Sequence, residues 1–136
     1  NLGLHYAPSI NFTTYQKLID DIIVILHNRK KELGSSARVI WKTTTSIRKE
    51  KENPRNIASW RFLTEQRVRL FNAYAMSAMC KAGFEVLDVF PLTTSYMPGP
   101  YDVVHYGNGV FNEAENELEE YVKAGSNYNS TSVCTT

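Results

Sequence analysis

Short apolar stretches alternate with long amphipathic stretches along this chain, and this order constrains its fold more than any other feature. Three stretches have the composition of buried strands: residues 1–5, 37–42 and 84–90. Three others repeat apolar side chains at helical spacing: residues 15–33, 59–83 and 109–123. Because strands that alternate with helices form parallel sheets covered on both faces, we predict an α/β fold. The expected architecture is a three-layer sandwich with a mainly parallel sheet.

The length of 136 residues suits one domain or a large piece of one. We assign residues 1–124 to the α/β unit, and residues 125–136, which are rich in Ser, Thr and Asn, to a flexible tail. The chain starts on strand-like residues without a Met, so we expect the sheet to be incomplete at its N-terminus.

Composition and charge argue against two classes of partner. The formal net charge of +1 gives no electrostatic basis for binding nucleic acid. No apolar run reaches the roughly 18 residues of a membrane-spanning helix, so no span is expected. Two glycosylation sequons, at Asn11 and Asn129, lie in predicted loops and favour the secretory pathway. Cys80 and Cys134 can pair with each other, pair with other segments or remain free.

Local signals mark the helix ends and one exposed loop. Thr13 or Thr14 is expected to cap the first helix; Ser59 is expected to cap the second, which Gly83 ends. Residues 47–55 are dense in charge, and we expect a loop whose lysines are solvated. The apolar face expected for the second helix comprises Trp60, Leu63, Leu70, Phe71, Tyr74 and Ala78.

The loop after the last predicted strand carries an Asp three residues before a His, Asp102 and His105. A neutral imidazole takes a hydroxyl proton at neutral pH, and a carboxylate on its other nitrogen holds the tautomer. The sequence therefore marks His105 as a candidate general base and Asp102 as the group that orients it. The structural alternative is a loop histidine bonded only to the backbone.

The first residues of the chain form a second candidate element. Gly3 permits close backbone approach, so its N–H can point at an oxyanion, and the Asn1 amide can donate to the same oxygen. His5 is a candidate substrate-binding residue in the same segment. A loop cap for Asn1 and a packed or loop-bonded imidazole for His5 are the structural alternatives.

Polar residues 43–46 follow the predicted strand 37–42 and are candidates for substrate binding or nucleophilic attack, although strand-end polarity also explains them. In parallel sheets the chemistry lies beyond the carboxyl ends of the strands, where these residues, the first segment and the Asp102 loop are all expected. The three histidines, His5, His27 and His105, lack the close spacing of metal ligands, so no metal site is predicted. We also find no phosphate-binding glycine loop.

Taken together, these segments resemble the SGNH (GDSL-like) hydrolase superfamily, and within it the PC-esterase and NXPE-like branch. Asp102-x-x-His105 resembles the block that supplies the triad Asp and His, and the Asn-Leu-Gly-x-His-Tyr segment at Asn1 resembles the region of the oxyanion Asn. Trp41-Lys42-Thr43 resembles the branch's strand that ends in Lys-Thr. The resemblance spans about residues 1–123, and the family's Gly-Asp-Ser block is not present in this sequence.

This resemblance implies a flavodoxin-like sandwich and an esterase or O-acyltransferase that acts on small acyl esters, such as acetyl esters of glycans or lipids. It implies no metal or redox cofactor, a nucleophilic serine from an N-terminal segment or another chain, and a secreted, extracellular or Golgi setting. The alternative is a catalytically inactive module of the same fold that binds glycans, with Tyr96, Tyr101 and Tyr106 stacking on sugars, or that serves an extracellular assembly. A third reading is an unrelated α/β domain with a chance Asp-x-x-His.

Overall fold

The computed structural model describes residues 2–32, 38–52, 61–124 and 134. Within them a helix precedes each of two short strands, and two more helices follow. In chain order the elements are α1 (Phe12–Glu32), β1 (Ile40–Lys42), a 3₁₀ helix (Lys49–Lys51), α2 (Glu65–Lys81), β2 (Glu85–Leu87), α3 (Phe90–Ser95) and α4 (Asn112–Ala124). The prediction of an α/β fold is confirmed at this level: helices accompany a small parallel sheet.

In the described part of the chain the sheet consists of β1 and β2, which pair in parallel. Trp41 lies opposite Val86, and α2 connects the two strands and packs against β2. The strand predicted over residues 1–5 is not seen where that stretch is described, because residues 4–9 form successive turns. The carbonyl of Gly3 accepts hydrogen bonds from the N–H groups of Tyr6 and Ala7, at 3.0 and 2.9 Å, which fold this segment back on itself.

The hydrophobic core lies where α1 packs against α2. Tyr15 and Ile19 of α1 are almost fully buried, and the Tyr15 ring stacks on Phe71 of α2 with the ring centroids 4.1 Å apart. Trp41 of β1 and Phe84, just before β2, join the same cluster. Burial of these large side chains is the main stabilising contribution that the sequence pattern encodes.

The helix caps differ from those predicted. The side chain of Asn11 accepts a hydrogen bond of 2.8 Å from the N–H of Thr14, so α1 begins one turn earlier than expected and Asn11, not Thr13 or Thr14, caps it. Thr64 caps α2 by accepting from the N–H of Arg67 at 3.2 Å. The second helix therefore begins at Glu65 rather than at Ser59, which lies outside the described residues.

The buried face of α2 is shifted from the predicted one. Leu70, expected to face the core, is 47 % exposed. The late helix start explains part of the error, because Leu63 is buried in the segment before α2 and not on the helix. Gly83 ends the helical segment as predicted, with a φ of +76° that favours glycine. The residues of α2 that are buried are Val68, Phe71, Asn72, Ala75 and Met79.

Three further features complete the fold. A disulfide joins Cys80 of α2 to Cys134, with their Cα atoms 5.2 Å apart, which decides among the pairings that the sequence left open. The short helix α3 occupies part of the predicted loop after β2. On α4, the hydroxyl of Tyr121 donates to Glu85 at 2.6 Å.

No helix among the described residues is both long enough and apolar enough to cross a bilayer.

Candidate functional site

Asp102 and His105, which we call the dyad, are hydrogen-bonded to each other. The Nδ1 atom of His105 lies 2.6 Å from Oδ2 of Asp102. The other carboxylate oxygen, Oδ1, accepts from the backbone N–H groups of Val104 and His105, each at 2.8 Å. Three donors thus converge on one carboxylate within four residues of chain, so the loop itself forms the dyad.

These hydrogen bonds set the charge of the carboxylate. Partial burial raises the pKa of Asp102, but the hydrogen bonds from the His105 ring and from the two backbone N–H groups outweigh it and lower the pKa from 3.8 to about 2. The carboxylate is therefore ionised at neutral pH and accepts the proton of Nδ1. This tautomer leaves Nε2 of a neutral imidazole as the nitrogen that accepts a further proton.

The dyad sits in a loop of residues 98–106, which we call the dyad loop. Inside it, the N–H of Tyr101 donates to the carbonyl of His105 at 2.8 Å, and the two rings stack with centroids 5.8 Å apart. Val103 is buried in the core, and its carbonyl accepts from the N–H of Arg48 at 2.9 Å. These contacts fix the loop from both sides while the His105 side chain stays 61 % exposed.

The segment after β1 holds the dyad loop from outside and corrects one expectation. The Nζ of Lys51 donates to the carbonyls of Pro98, at 2.9 Å, and Pro100. Lys49 donates to the carbonyl of Arg61 at 3.1 Å. The sequence predicted a loop with solvated lysines over residues 47–55. Instead, residues 49–51 form a 3₁₀ helix, and both lysines donate to backbone carbonyls. Between these two prolines, Gly99 has a φ of +63°, a conformation that favours glycine.

A pocket of about 310 Å³ lies between the dyad and the start of the chain. One wall, the dyad wall, consists of Val104 and His105. The other, the N-terminal wall, consists of residues 2–6. As predicted from the sequence, the first segment of the chain and the Asp102 loop lie close together in the described residues. The volume is at the lower end of the range for small-molecule pockets.

The N-terminal wall depends on the close approach of Gly3 to Thr44. A Cβ on Gly3 would overlap the methyl group of Thr44, so only glycine fits in this position. Thr44 is in turn held by Asn72 of α2. The Asn72 Oδ1 accepts from the N–H and the hydroxyl of Thr44, at 3.0 and 2.8 Å, and its Nδ2 donates to the Thr44 carbonyl at 2.9 Å. Asn72 therefore supports the N-terminal wall through Thr44, a role that the sequence analysis did not predict.

Backbone donors are available on the N-terminal wall. Among the described residues, the N–H groups of Gly3, Leu4 and His5 donate to no acceptor, because the turn that starts at Gly3 uses only the N–H groups that follow them. Residues 3–5 line the pocket, so this wall contains three successive N–H groups that have no acceptor among the described residues. The His5 side chain is exposed and lines the pocket, and its ring has no hydrogen-bond partner among the described residues.

Other predicted residues fall elsewhere. Asn1 and Asn129 lie outside the described residues. Asn11 is exposed, and its Oδ1 forms the cap of α1. In the described residues, no three His, Cys, Asp or Glu side chains lie close enough together to hold a metal ion.

The polar residues 43–46 serve the fold. Thr43 is fully buried, donates to Asp88 at 2.8 Å and accepts from the N–H of Val89 at 2.9 Å. Ser46 is 4 % exposed, and its N–H donates to the hydroxyl of Thr93 at 3.0 Å. These contacts match the structural alternative, in which residues 43–46 are polar because they follow the end of a strand.

Comparison with known protein families, curated proteins and solved structures gives no match to this chain.

Proposed function

We propose that the protein is an SGNH-type esterase or O-acyltransferase, and that Asp102 and His105 are its acid–base pair. The observation that carries the proposal is the 2.6 Å hydrogen bond from Nδ1 of His105 to a carboxylate whose pKa is about 2. It supports a fixed tautomer with Nε2 as the base, beside a pocket lined by His105 itself.

The reaction proceeds in two acyl transfers. Nε2 of His105 takes the proton of a serine hydroxyl while the serine oxygen attacks the acyl carbon. The bond to the alcohol leaving group then breaks, and the imidazolium returns its proton to that alcohol. Water, or an acceptor hydroxyl, attacks the acyl-enzyme by the same route. Asp102 remains ionised throughout and stabilises the imidazolium.

The oxyanion of each tetrahedral intermediate faces the N-terminal wall. The free N–H groups of Gly3, Leu4 and His5 are donors of the kind that stabilise developing negative charge. We include the Asn1 amide as a further donor and His5 as a contact to the leaving group. The serine is not among the described residues that line the pocket, and we assign it to another segment or to a partner chain.

The same proposal extends the fold. A parallel pair of three-residue strands is smaller than sheets that are stable alone, and parallel sheets are covered by helices on both faces. We therefore propose that β1 and β2 belong to a larger, mainly parallel sheet in a three-layer sandwich of the SGNH type. The family's order of segments, with the oxyanion region before the strand that ends in Lys42 and Thr43, supports this assignment.

We place the protein in the secretory pathway, either secreted or in the Golgi lumen, with acetyl esters of glycans or lipids as substrates and no metal or redox cofactor. The disulfide between Cys80 and Cys134 supports an oxidising compartment. The sequon at Asn11 is compatible with a glycan, because the residue is exposed and its cap uses Oδ1, not the nitrogen that would carry the sugar.

A second candidate function is an inactive module of the same fold that binds glycans. The observation that favours it is Tyr101, which is 72 % exposed, stacks on the pocket residue His105 and offers the other face of its ring to a sugar. In that case the protein binds acylated glycans but does not turn them over.

Hydrolysis of a small acetyl ester distinguishes the two functions. The native protein and its Asp102→Asn variant are compared with a matched control, Asp21→Asn, which removes an exposed carboxylate of α1 whose ion pair in the described structure is with Lys17. An esterase loses turnover by about 10⁴-fold in Asp102→Asn and retains it in Asp21→Asn. Equal rates in the native protein and both variants would overturn the esterase proposal.

A further inference from the structure

Tyr106 directly follows His105, and its hydroxyl is bound by three oxygen atoms of two other segments. It lies 2.6 Å from Oγ of Ser46, 3.1 Å from the Ser46 carbonyl and 3.2 Å from the Thr93 carbonyl. With the Ser46 hydroxyl donating to it, the phenol proton is left for one of the two carbonyls. The hydroxyl is therefore satisfied both as donor and as acceptor.

The partners of Tyr106 are themselves fixed. Ser46 follows β1 and is 4 % exposed, and Thr93 lies in α3 and is fully buried. The Ser46 N–H donates to the Thr93 hydroxyl at 3.0 Å, and that hydroxyl donates in turn to the carbonyl of Val89 or Phe90. The phenol thus ties the end of the dyad loop both to the segment after β1 and to α3.

No comparable anchor follows Tyr106 among the next residues. Residues 107–109 are exposed, and a Cβ on Gly107 would meet no neighbour within 4 Å. On the N-terminal side of His105, Val103 and the carbonyls bound by Lys51 hold the loop. Among the described residues, the hydrogen bonds of Asp102 join atoms of residues 102–105, so they shape the dyad without fixing its position relative to the other wall.

We infer that Tyr106 is a positioning residue for His105, and that its hydroxyl, through Ser46 and Thr93, sets the distance from Nε2 to the reacting atoms. That this distance matters for catalysis rests on the proposed function. Removing the hydroxyl leaves the ring packed but frees the loop at His105, so that the dyad hydrogen bond opens more often and the distance from Nε2 to the reacting atoms varies. Small misplacements of a catalytic base reduce the chemical step and leave substrate binding nearly unchanged.

The test compares Tyr106→Phe with a matched control, Tyr96→Phe. The ring of Tyr96 lies 6.3 Å from that of Tyr106, and its hydroxyl has no partner among the described residues. The first readout is the NMR signal of the Nδ1 proton of His105, which reports the dyad hydrogen bond without any substrate. We expect that signal to broaden or disappear in Tyr106→Phe and to persist in Tyr96→Phe.

The second readout is turnover of the acetyl ester. We expect kcat to fall about tenfold in Tyr106→Phe, with KM within about twofold of the native value. Ser46→Ala, which removes one of the three oxygens, should show a smaller loss in the same direction, and it serves as the test if Tyr106→Phe does not fold.

The outcomes separate the two claims. A native protein with the Nδ1 signal whose Tyr106→Phe and Ser46→Ala variants keep that signal and the native kcat would overturn the positioning role and leave the proposed function standing. A folded native protein with no Nδ1 signal and no turnover would overturn the dyad, and the positioning role with it.

Discussion

The two walls of the pocket are held in place by different kinds of contact. The hydrogen bonds that form the dyad are local, because those of Asp102 in the described part of the chain join atoms no more than three residues apart, while distant residues such as Lys51 hold the loop around it. The N-terminal wall depends on distant residues, since Gly3 packs on Thr44 and the Arg67 side chain donates to the carbonyls of Ala7 and Ile10. We therefore expect changes on the dyad wall to alter chemistry, and changes behind the N-terminal wall to alter stability.

The largest expected effect is on chemistry alone. His105→Ala removes the base, so turnover of an acetyl ester should fall by about 10⁴-fold or more. Because the side chain is 61 % exposed, the free energy of unfolding should fall by no more than about 0.5–1.5 kcal/mol, the contribution of its stacking on Tyr101. Kinetic assays and chemical denaturation measure the two quantities. Normal turnover in the variant would show that the base is misassigned.

Asn72→Ala tests the opposite prediction on the N-terminal side. It leaves the N–H, hydroxyl and carbonyl of the buried Thr44 without their partner, so the free energy of unfolding should fall by about 3 kcal/mol. The matched control is Asn116→Ala, an exposed site on α4, with little change expected. Equal stabilities of the two variants in urea denaturation would contradict the support role of Asn72.

Gly3→Ala sharpens the comparison with a single methyl group. The added Cβ overlaps the Thr44 methyl, so the wall must shift, and we expect a loss of about 1–3 kcal/mol of stability. Gly107→Ala, in the exposed turn after the dyad loop, adds the same group where nothing lies within 4 Å. Thermal unfolding of both variants measures the difference. A stable Gly3→Ala with unshifted wall resonances would contradict the contact.

Tyr101→Leu tests whether ring stacking helps to hold His105. Loss of the stacked ring should cost about 0.5–1.5 kcal/mol and increase the motion of the imidazole. Tyr101→Phe keeps the ring and should behave as the native protein does. NMR relaxation of the His105 side chain measures the motion, and identical relaxation in all three proteins would rule out the stacking role.

The smallest expected effect is a decrease in the free energy of unfolding at acid pH. The folded-state pKa of Asp102, about 2, lies below its ordinary value of 3.8. The carboxylate therefore contributes stability that is present above pH 4 and is lost as the pH falls through 2. Solvent screening of this exposed group limits the contribution to less than about 1 kcal/mol. The stability difference between the native protein and Asp102→Asn should shrink over that range, and a pH-independent difference would contradict the lowered pKa.

Much of the fold and half of the site could be predicted from sequence. The alternation of strand and helix patterns predicted the parallel pair, and the spacing of Asp102 and His105 predicted a contact that forms within one turn. Gly3 was predicted as a place of close approach, although its contact with Thr44 depends on tertiary packing.

The remaining features depend on contacts that local patterns do not encode. Asn11 and Thr64 cap the first two helices, and Thr13, Thr14 and Ser59 were equally acceptable by residue type. The charged stretch after β1 carries Lys51, whose role becomes visible only when the carbonyls of Pro98 and Pro100 lie beside it. Asn72 left a signal, since it is a polar residue on the apolar stripe of α2, where buried polar groups require partners.

Fluorophosphonate labelling of the intact native protein, with peptide mapping of the adduct, tests the central claim most directly. The reagent reacts preferentially with activated serines, and the same labelling is repeated on His105→Ala. We predict an adduct on a single serine, on another segment or a partner chain, that is lost in the variant. A folded native protein that does not label, or a His105→Ala variant that labels equally well, would contradict the account.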